Sequence, residues 1–299
     1  MENPHILHFF TPTKNASPFD VNMALDAGFD AVVPYTNVVL DDIVGLTQDA
    51  IFSRGPKGVK RTGIFLGGRE LDLSTDMLEA ARRAMVPPFE ASVFADPSGA
   101  YTTAAAMVAA VEKALKPNVA SLAGLKVVVF GGTGPVGACA AMLAAGAGAR
   151  ATVCSHVSVE RAQAVATMCS TRYGQQVAAA RAGDRDERRR LAADADVILA
   201  TGKAGVQLLD RSDLAQAKSL LVAADVNAVP PEGIEGVGVM HNAVPLEAGS
   251  GRAVGIGALA IGNVKYKVQR GLFESMIRTE KPLYLDFRDA FARARELLA

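Results

Sequence analysis

The sequence predicts an α/β protein of two domains joined by long helices. Short β-branched runs alternate with longer helical patterns along almost the whole chain, the signature of largely parallel sheets. The chain has 299 residues, half of them hydrophobic, which exceeds the usual ~100–200 residues of one domain and suffices for two cores. Two long helical stretches, at 100–116 and 257–277, read as bridges between the halves.

The elements follow in order. "ILHFF" (6–10) is the first strand. "SPFD" (17–20) opens a helix: Ser17 can cap it, Pro18 suits the first helical position, and Asp20 sits where a carboxylate reaches back to a free N–H. That helix ends near Gly28. "AVVPY" (31–35), "GIFLGG" (63–68) and "ASVFA" (91–95) are further strands, with helices over 39–52 and 71–85 between them. In the second half, strands are expected at 125–130, 150–154, 176–179, 196–200 and 219–224. Helices are expected at 135–147, 158–173 and 184–193; the last carries "DRDERRR", read as a solvated face. The terminal helix, 286–298, is expected to pack back on the first domain. "KPNVASLAG" (116–124) is the linker, so residues 1–118 plus 269–299 form one domain and 119–268 the other. A cleft between two such domains is the expected place for a small ligand.

Composition narrows the function. There are 31 basic and 31 acidic residues, with no basic block and no aromatic–basic interleaving, so nucleic acid is not an expected partner. Cys139, Cys154 and Cys169 lie in no metal or redox spacing, and His5, His8, His156 and His241 form no ligand pattern; no metal is expected. "MENPHILHFF" lacks a basic n-region, and "ACAAMLAAGAGA" (138–149) is too short and glycine-rich to span a bilayer. A cytoplasmic protein with reduced thiols and no membrane contact is the expectation.

The strongest motif is "VVVFGGTGPVGACAA" (127–141). Gly132-Thr133-Gly134-Pro135-Val136-Gly137 matches G-x-G-x-x-G directly after a strand and at a helix start, the context of a Rossmann-like dinucleotide site. Gly132 permits the tight turn, Gly134 lets backbone approach a pyrophosphate, and Gly137 allows close helix–sheet packing. The helix N-terminus offers free N–H groups to phosphate, and Pro135 gives up an N–H that would be unpaired there. An NAD-selective site usually places Asp or Glu after the next strand. Here Ser155 and His156 stand there, with Arg161 further on, so NADP or dual NAD/NADP use is expected. Thr201 and Gly202 of "ATGKAG" should border the nicotinamide ribose, and Asp225 and Asn227 of "ADVNAVPP" stand at another strand's ligand-bearing end.

Three further segments gather polar groups. "TPTKNASPFD" (11–20) holds Lys14, Asn15, Ser17 and Asp20, and "DPSGAYTT" (96–103) holds Asp96, Ser98, Thr102 and Thr103. "GIGALAIGNVKYK" (255–267) carries Lys265 and Lys267, which do not share a helix face. None of these makes a Ser–His–Asp set or a paired-carboxylate device. Hydride transfer fits, because a cofactor carries the chemistry and the protein supplies geometry.

"SPFDVNMALDAGFD", "RTGIFLGGR", "DPSGAYTTAAAMV", "GGTGPVG", "ADVNAVPPEGI" and "GIGALAIGNVKYK" together resemble the bacterial NAD(P)-dependent methylenetetrahydromethanopterin dehydrogenases, over nearly the whole chain from about residue 6. The resemblance implies a pterin-binding N-terminal domain and a Rossmann-like NAD(P) domain. It implies oxidation of the methylene group on a reduced pterin to a methenyl cation, in one-carbon (formaldehyde) oxidation, by a homo-oligomer. It assigns Lys265 to the pterin head. Lys14, Asp20, Asp96, Ser98 and Thr102 are the further substrate candidates, with Lys14 or Arg54 for an acidic substrate tail. Ser155-His156 sets the chain nearer the branch that uses both cofactors. Two other readings stay open: a methylenetetrahydrofolate or shikimate-type dehydrogenase, the latter with Lys14 and Asp20 as a Lys–Asp pair, and a binding module without turnover.

Overall fold

The computed structural model describes residues 3–299. The chain divides into two compact units: the residues through Thr102 with Tyr266–Arg293, and Thr103–Lys265 with Ala294–Ala299. The strands are β1 (Ile6–Phe10), β2 (Ala31–Tyr35), β3 (Thr62–Leu66), β4 (Ser92–Ala95), β5 (Lys126–Phe130), β6 (Arg150–Ser155), β7 (Ala178–Arg181), β8 (Val197–Ala200), β9 (Val222–Asp225), β10 (Asn242–Pro245), β11 (Val254–Ile256) and β12 (Tyr284–Leu285). The helices are α1 (Pro18–Asp26), α2 (Asp42–Phe52), α3 (Gly55–Gly58), α4 (Leu71–Arg83), α5 (Ala100–Leu115), α6 (Pro135–Gly146), α7 (Val159–Tyr173), α8 (Arg185–Ala193), α9 (Arg211–Leu214), α10 (Ala258–Arg278) and α11 (Phe287–Leu298). The division falls inside α5, α10 and α11, the helices along which the chain passes from one unit to the other.

The first unit holds a five-stranded sheet in the order β12-β4-β3-β1-β2, with every pair parallel. Parallel strands covered on both faces read as continuous apolar runs rather than alternating ones; β3 and β4 are buried at every residue. Phe65 is the centre of the core. Its ring lies 4.9 Å from Phe9, 5.4 Å from Phe94 and 5.2 Å from Phe273 of α10, edge-on or tilted, the favoured aromatic geometry. Ser17 caps α1 by accepting a hydrogen bond from the Asp20 amide at 3.4 Å, as its sequence implies. The strand expected at 63–68 ends at Leu66, because Gly67-Gly68 leaves the sheet. Gly68 has φ 120°, and a Cβ on Gly67 would strike Phe9 at 2.6 Å.

The second unit holds a seven-stranded sheet in the order β10-β11-β9-β8-β5-β6-β7, parallel except for β10. Counted from β5, the six parallel strands run 3-2-1-4-5-6, the doubly wound dinucleotide-binding order. Phe130, Ile198, Leu209, Leu214, Ala223 and Ile234 form part of its buried core. The charge run on α8 departs from a plain solvated face. Arg185 pairs with Asp210, Arg189 holds the buried Asp213 at 2.9 Å, and Arg188 donates to Leu208 O at 2.9 Å, so three arginines fasten α8 to the 208–213 segment. α11 lies along α5, with Tyr101 against Phe287 at 5.5 Å and Arg295 forked onto Glu112 at 2.6 and 2.8 Å.

Candidate functional site

β5 is followed by Gly131, whose φ of 73° lies in the left-handed region. The sequence reading gave the tight turn to Gly132; the structure gives it to the residue before. Gly132 is buried against the neighbouring strand instead, since a Cβ there would lie 2.9 Å from both Val129 O and Val153 Cβ. A Cβ on Gly131 would lie 2.6 Å from Thr201 C and 2.7 Å from Gly202 N, so the turn after β5 rests on the turn after β8. The Thr201 hydroxyl closes that contact by donating to Phe130 O at 2.9 Å. β8 and β6 flank β5 on opposite sides. This is the switch point at which open α/β sheets take ligands.

Gly137 is buried beneath the turn: its Cβ would come within 2.5 Å of Thr201 Oγ1 and 2.6 Å of Gly131 O. Gly134 differs. A Cβ there would meet Gly131 O alone, at 3.4 Å. It is the N-cap of α6, and no side chain caps that helix. Pro135 has no N–H, which leaves the first-turn amides of Val136 and Gly137 uncapped. Half-exposed Thr133, Gly134, Pro135 and Val136 thus border an uncapped helix start suited to a phosphate anion. A pyrophosphate fits this turn.

The strand ends beyond the turn are different in character. Ser155 is fully buried, and its hydroxyl accepts from Val157 N at 3.2 Å and Ser158 N at 3.4 Å. Its side chain shapes the β6–α7 turn, where the sequence reading had it on the sugar. His156 and Arg161 are exposed, and Arg161 lies in the first turn of α7. Asp225 is turned inward too: it accepts from Asn227 N at 2.9 Å and Ile234 N at 3.1 Å. Burial pushes its carboxyl above the ordinary range, against the pull of those amides. Asn227 accepts from Gly205 N and Val229 N at 3.1 and 3.0 Å and donates to Pro231 O at 2.7 Å. Asp225 and Asn227 therefore clasp their own loop.

In the first unit, the carboxyl ends of β3 and β4 carry the polar segments. Asp96 is fully buried; Oδ1 accepts from Tyr101 N at 2.9 Å and Thr102 N at 3.3 Å. The Thr102 hydroxyl, also buried, donates to Asp96 Oδ2 at 2.6 Å. The pair caps α5, and this occupies side chains the sequence reading offered to the substrate. Ser98 remains exposed among buried neighbours, with φ 51° and its hydroxyl donating to Gly68 O at 2.7 Å. Asp20 is buried and accepts from Gln269 Nε2 at 2.7 Å. Lys14 is exposed. Arg54 is not at this edge: it donates to Pro4 O, Arg61 O and the Thr62 hydroxyl, at the amino ends of β1 and β3.

Lys265 is half-buried on α10. It stands one turn before Gln269, and residues four apart share a helix face. Gln269 is the residue the sequence reading missed. Its only signal was that spacing, since a glutamine in a helix ordinarily reads as surface.

Residues 18–98 match the family described as methylene-tetrahydromethanopterin dehydrogenase, N-terminal. Over 293 residues, 98% of each chain, the sequence is 50% identical to the NAD(P)-dependent methylenetetrahydromethanopterin dehydrogenase of Methylorubrum extorquens. The chain belongs to the NAD(P)-dependent methylenetetrahydromethanopterin dehydrogenase family. The bifunctional protein MdtA of the same organism is 33% identical to this dehydrogenase over 98% of each chain. The fold is also that of shikimate 5-dehydrogenase from Listeria monocytogenes, with TM-score 0.53 and 13% identity over 99% of this chain and 96% of that one.

Three further features of this dehydrogenase bear on its chemistry. Among the described residues no group of three or more His, Cys, Asp and Glu side chains could hold a metal ion. Among them, too, no helix is long and apolar enough to cross a membrane. Cys139, Cys154 and Cys169 are buried and form no disulfide, and burial pushes the Cys154 thiol up to about 12.

Proposed function

We propose that this chain catalyses reversible hydride transfer from the methylene group of methylenetetrahydromethanopterin to NAD(P)+, leaving the methenyl cation. The observation that carries the reading is family membership along the full chain, at 50% identity over 98% of both sequences. The uncapped turn of Gly131–Gly137 at the switch point supports it from the geometry.

NAD(P)+ supplies the hydride acceptor when bound. The turn at Gly132, Thr133, Gly134, Pro135, Val136 and Gly137 would hold its pyrophosphate through backbone amides and the positive end of α6. Thr201 and Gly202 fix the turn's far wall, and the Asp225–Asn227 clasp fixes the loop after β9. Ser155 and His156 place no acid after β6, so neither sugar form is repelled there, and both NAD and NADP serve.

The family resemblance gives the pterin head to Lys265 of α10. Lys265 donates from its ammonium to an oxygen on the pterin head and orients the ring. It acts on the edge remote from the methylene carbon, because a cation beside a developing cation is unfavourable. Ser98 is the exposed hydroxyl at the β4–α5 turn; Asp96 and Thr102 hold that turn in place. Asp20 with Gln269, and Lys14 at the exposed loop, are the further substrate-side groups. The ring nitrogens flanking the methylene carbon share the positive charge as it forms, so no side chain need act as general base. Family resemblance supports a homo-oligomer working in the cytoplasm.

The test mixes protein, methylenetetrahydromethanopterin and either NAD+ or NADP+, with methylenetetrahydrofolate as competing donor. Growth of the reduced-nicotinamide absorbance band with the methanopterin donor is expected. Turnover confined to the folate donor or to a hydroxy acid, or none at all, refutes the reading.

A further inference from the structure

We infer that Arg181 reads the 2′-position of the adenosine ribose and takes the 2′-phosphate of NADP+, while Glu187 holds the guanidinium there and moderates its preference. The inference rests on the nucleotide reading of the Gly131–Gly137 turn and goes beyond it by naming the residue that sets cofactor choice.

The sugar end of a dinucleotide is read at the carboxyl end of the strand next to the glycine turn. Here that strand is β6, and its own end offers little: the Ser155 hydroxyl is spent inside its turn. β7 lies beside β6 with Arg181 opposite Ser155 in register. The Arg181 guanidinium lies over Gly183. A Cβ on Gly183 would be 2.6 Å from Arg181 Nη2 and also 2.9 Å from His156 O. The bare glycine thus lets a cation approach the β6–α7 turn, where the sequence supplies no charge of its own.

That cation is held in place. Arg181 Nη1 donates to Glu187 Oε1 at 2.7 Å, with Asp184 Oδ2 at 3.7 Å. Glu187 is itself fixed as the third residue of α8, in the capping box with Asp184, accepting from Gly183 N at 2.8 Å and Asp184 N at 3.4 Å. The remaining N–H donors of Arg181 have no partner among the described residues, and its side chain is 47% exposed. A planar fork with free donors, oriented by a carboxylate and open to solvent, suits a phosphate ester. The two carboxylates beside it oppose a second negative charge, and Glu187 can accept from a 2′-hydroxyl. The same pair therefore admits NADP+ without excluding NAD+. Arg161 is the competing cation: exposed, in the first turn of α7, and without a capping carboxylate to orient it.

The test is calorimetric titration of the full chain with 2′,5′-ADP and with AMP, for the natural protein and for Arg181→Gln, Arg181→Lys, Glu187→Gln and Arg161→Gln. In Arg181→Gln the affinity ratio of 2′,5′-ADP to AMP is expected to fall about ten- to a hundredfold, the loss of one charged hydrogen-bond pair. Arg181→Lys should restore part of that ratio, and Glu187→Gln should raise it. In turnover, kcat/KM for NADP+ should fall relative to NAD+ in Arg181→Gln. An unchanged ratio in Arg181→Gln, or a selective loss in Arg161→Gln instead, overturns the inference, as does failure of the natural protein to bind 2′,5′-ADP. Selective 2′,5′-ADP binding without turnover of the pterin would leave Arg181 in its role and remove the dehydrogenase reading.

Discussion

The two sheets end in different chemistry. At the carboxyl ends of β5 and β8, what matters is backbone: Gly131, Gly132 and Gly137 pack where a Cβ has no room, Gly134 opens α6, and no side chain caps that helix start. At the carboxyl ends of β3 and β4, the groups that matter are side chains, and most are already bonded within the protein: Asp96 to the Tyr101 amide of α5, the Thr102 hydroxyl to the Asp96 carboxylate, and Ser98 to the Gly68 carbonyl. A site built from backbone tolerates only glycine at set positions, so it is written in spacing. A site built from side chains uses residues that serve equally as caps and turns, so spacing alone does not separate the two roles.

The sharpest way to break this contrast is Gly137→Val. A branched side chain has no room at 2.5 Å from Thr201 Oγ1, so the turn must shift. Nucleotide affinity should fall about ten- to a hundredfold, on the scale of a lost hydrogen bond to a charged group, and calorimetry checks it. Unchanged binding would mean the turn is not the phosphate site. Next comes Lys265→Ala, expected to lower kcat by about ten- to a hundredfold, as for a lost charged hydrogen bond, with 2′,5′-ADP affinity retained. Unchanged kinetics would remove Lys265 from the pterin. Asp96→Ala should then cost about 1–2 kcal/mol of stability, the worth of a helix cap, read as a lower midpoint in thermal unfolding. A raised KM for the pterin with no loss of stability would instead make Asp96 a substrate contact. Gly134→Ala sharpens the comparison from the other side. Its Cβ has space at 3.4 Å, so the protein should fold with its natural melting point and lose only about threefold to tenfold in nucleotide affinity. The smallest effect concerns β6 itself. With its thiol pushed up to about 12 by burial, Cys154 should resist a thiol reagent at neutral pH until the chain is unfolded.

Much of the fold was legible because its strands are apolar runs bounded by glycine or polar turns. β1 and β2 match their expected spans, and α1, α6 and α7 begin where their caps and prolines place them. β10, β11 and β12 were not foreseen. They have four, three and two residues, too few for periodicity, and β10 is exposed along its length. Their pairing is decided by neighbours: β12 lies against β4, where Leu283 N donates to the Ser92 hydroxyl at 3.1 Å. The site divides in the same way. The glycine turn was legible, although its left-handed residue is Gly131 and not Gly132. Ser155, Asp225 and Asn227 stood at the right strand ends, yet their polar atoms turn inward, which only the fold of each loop determines. Gln269 was invisible because its partner, Asp20, comes from a distant stretch of chain.

The most direct test of the central claim follows the transferred atom. Methylenetetrahydromethanopterin carrying two deuterium atoms at its methylene carbon is turned over with NADP+, and the reduced nicotinamide is analysed by mass spectrometry. Hydride transfer places one deuterium on the reduced nicotinamide and leaves one on the methenyl product. Reduced nicotinamide without deuterium, or label released to solvent, would contradict direct transfer between the two ligands.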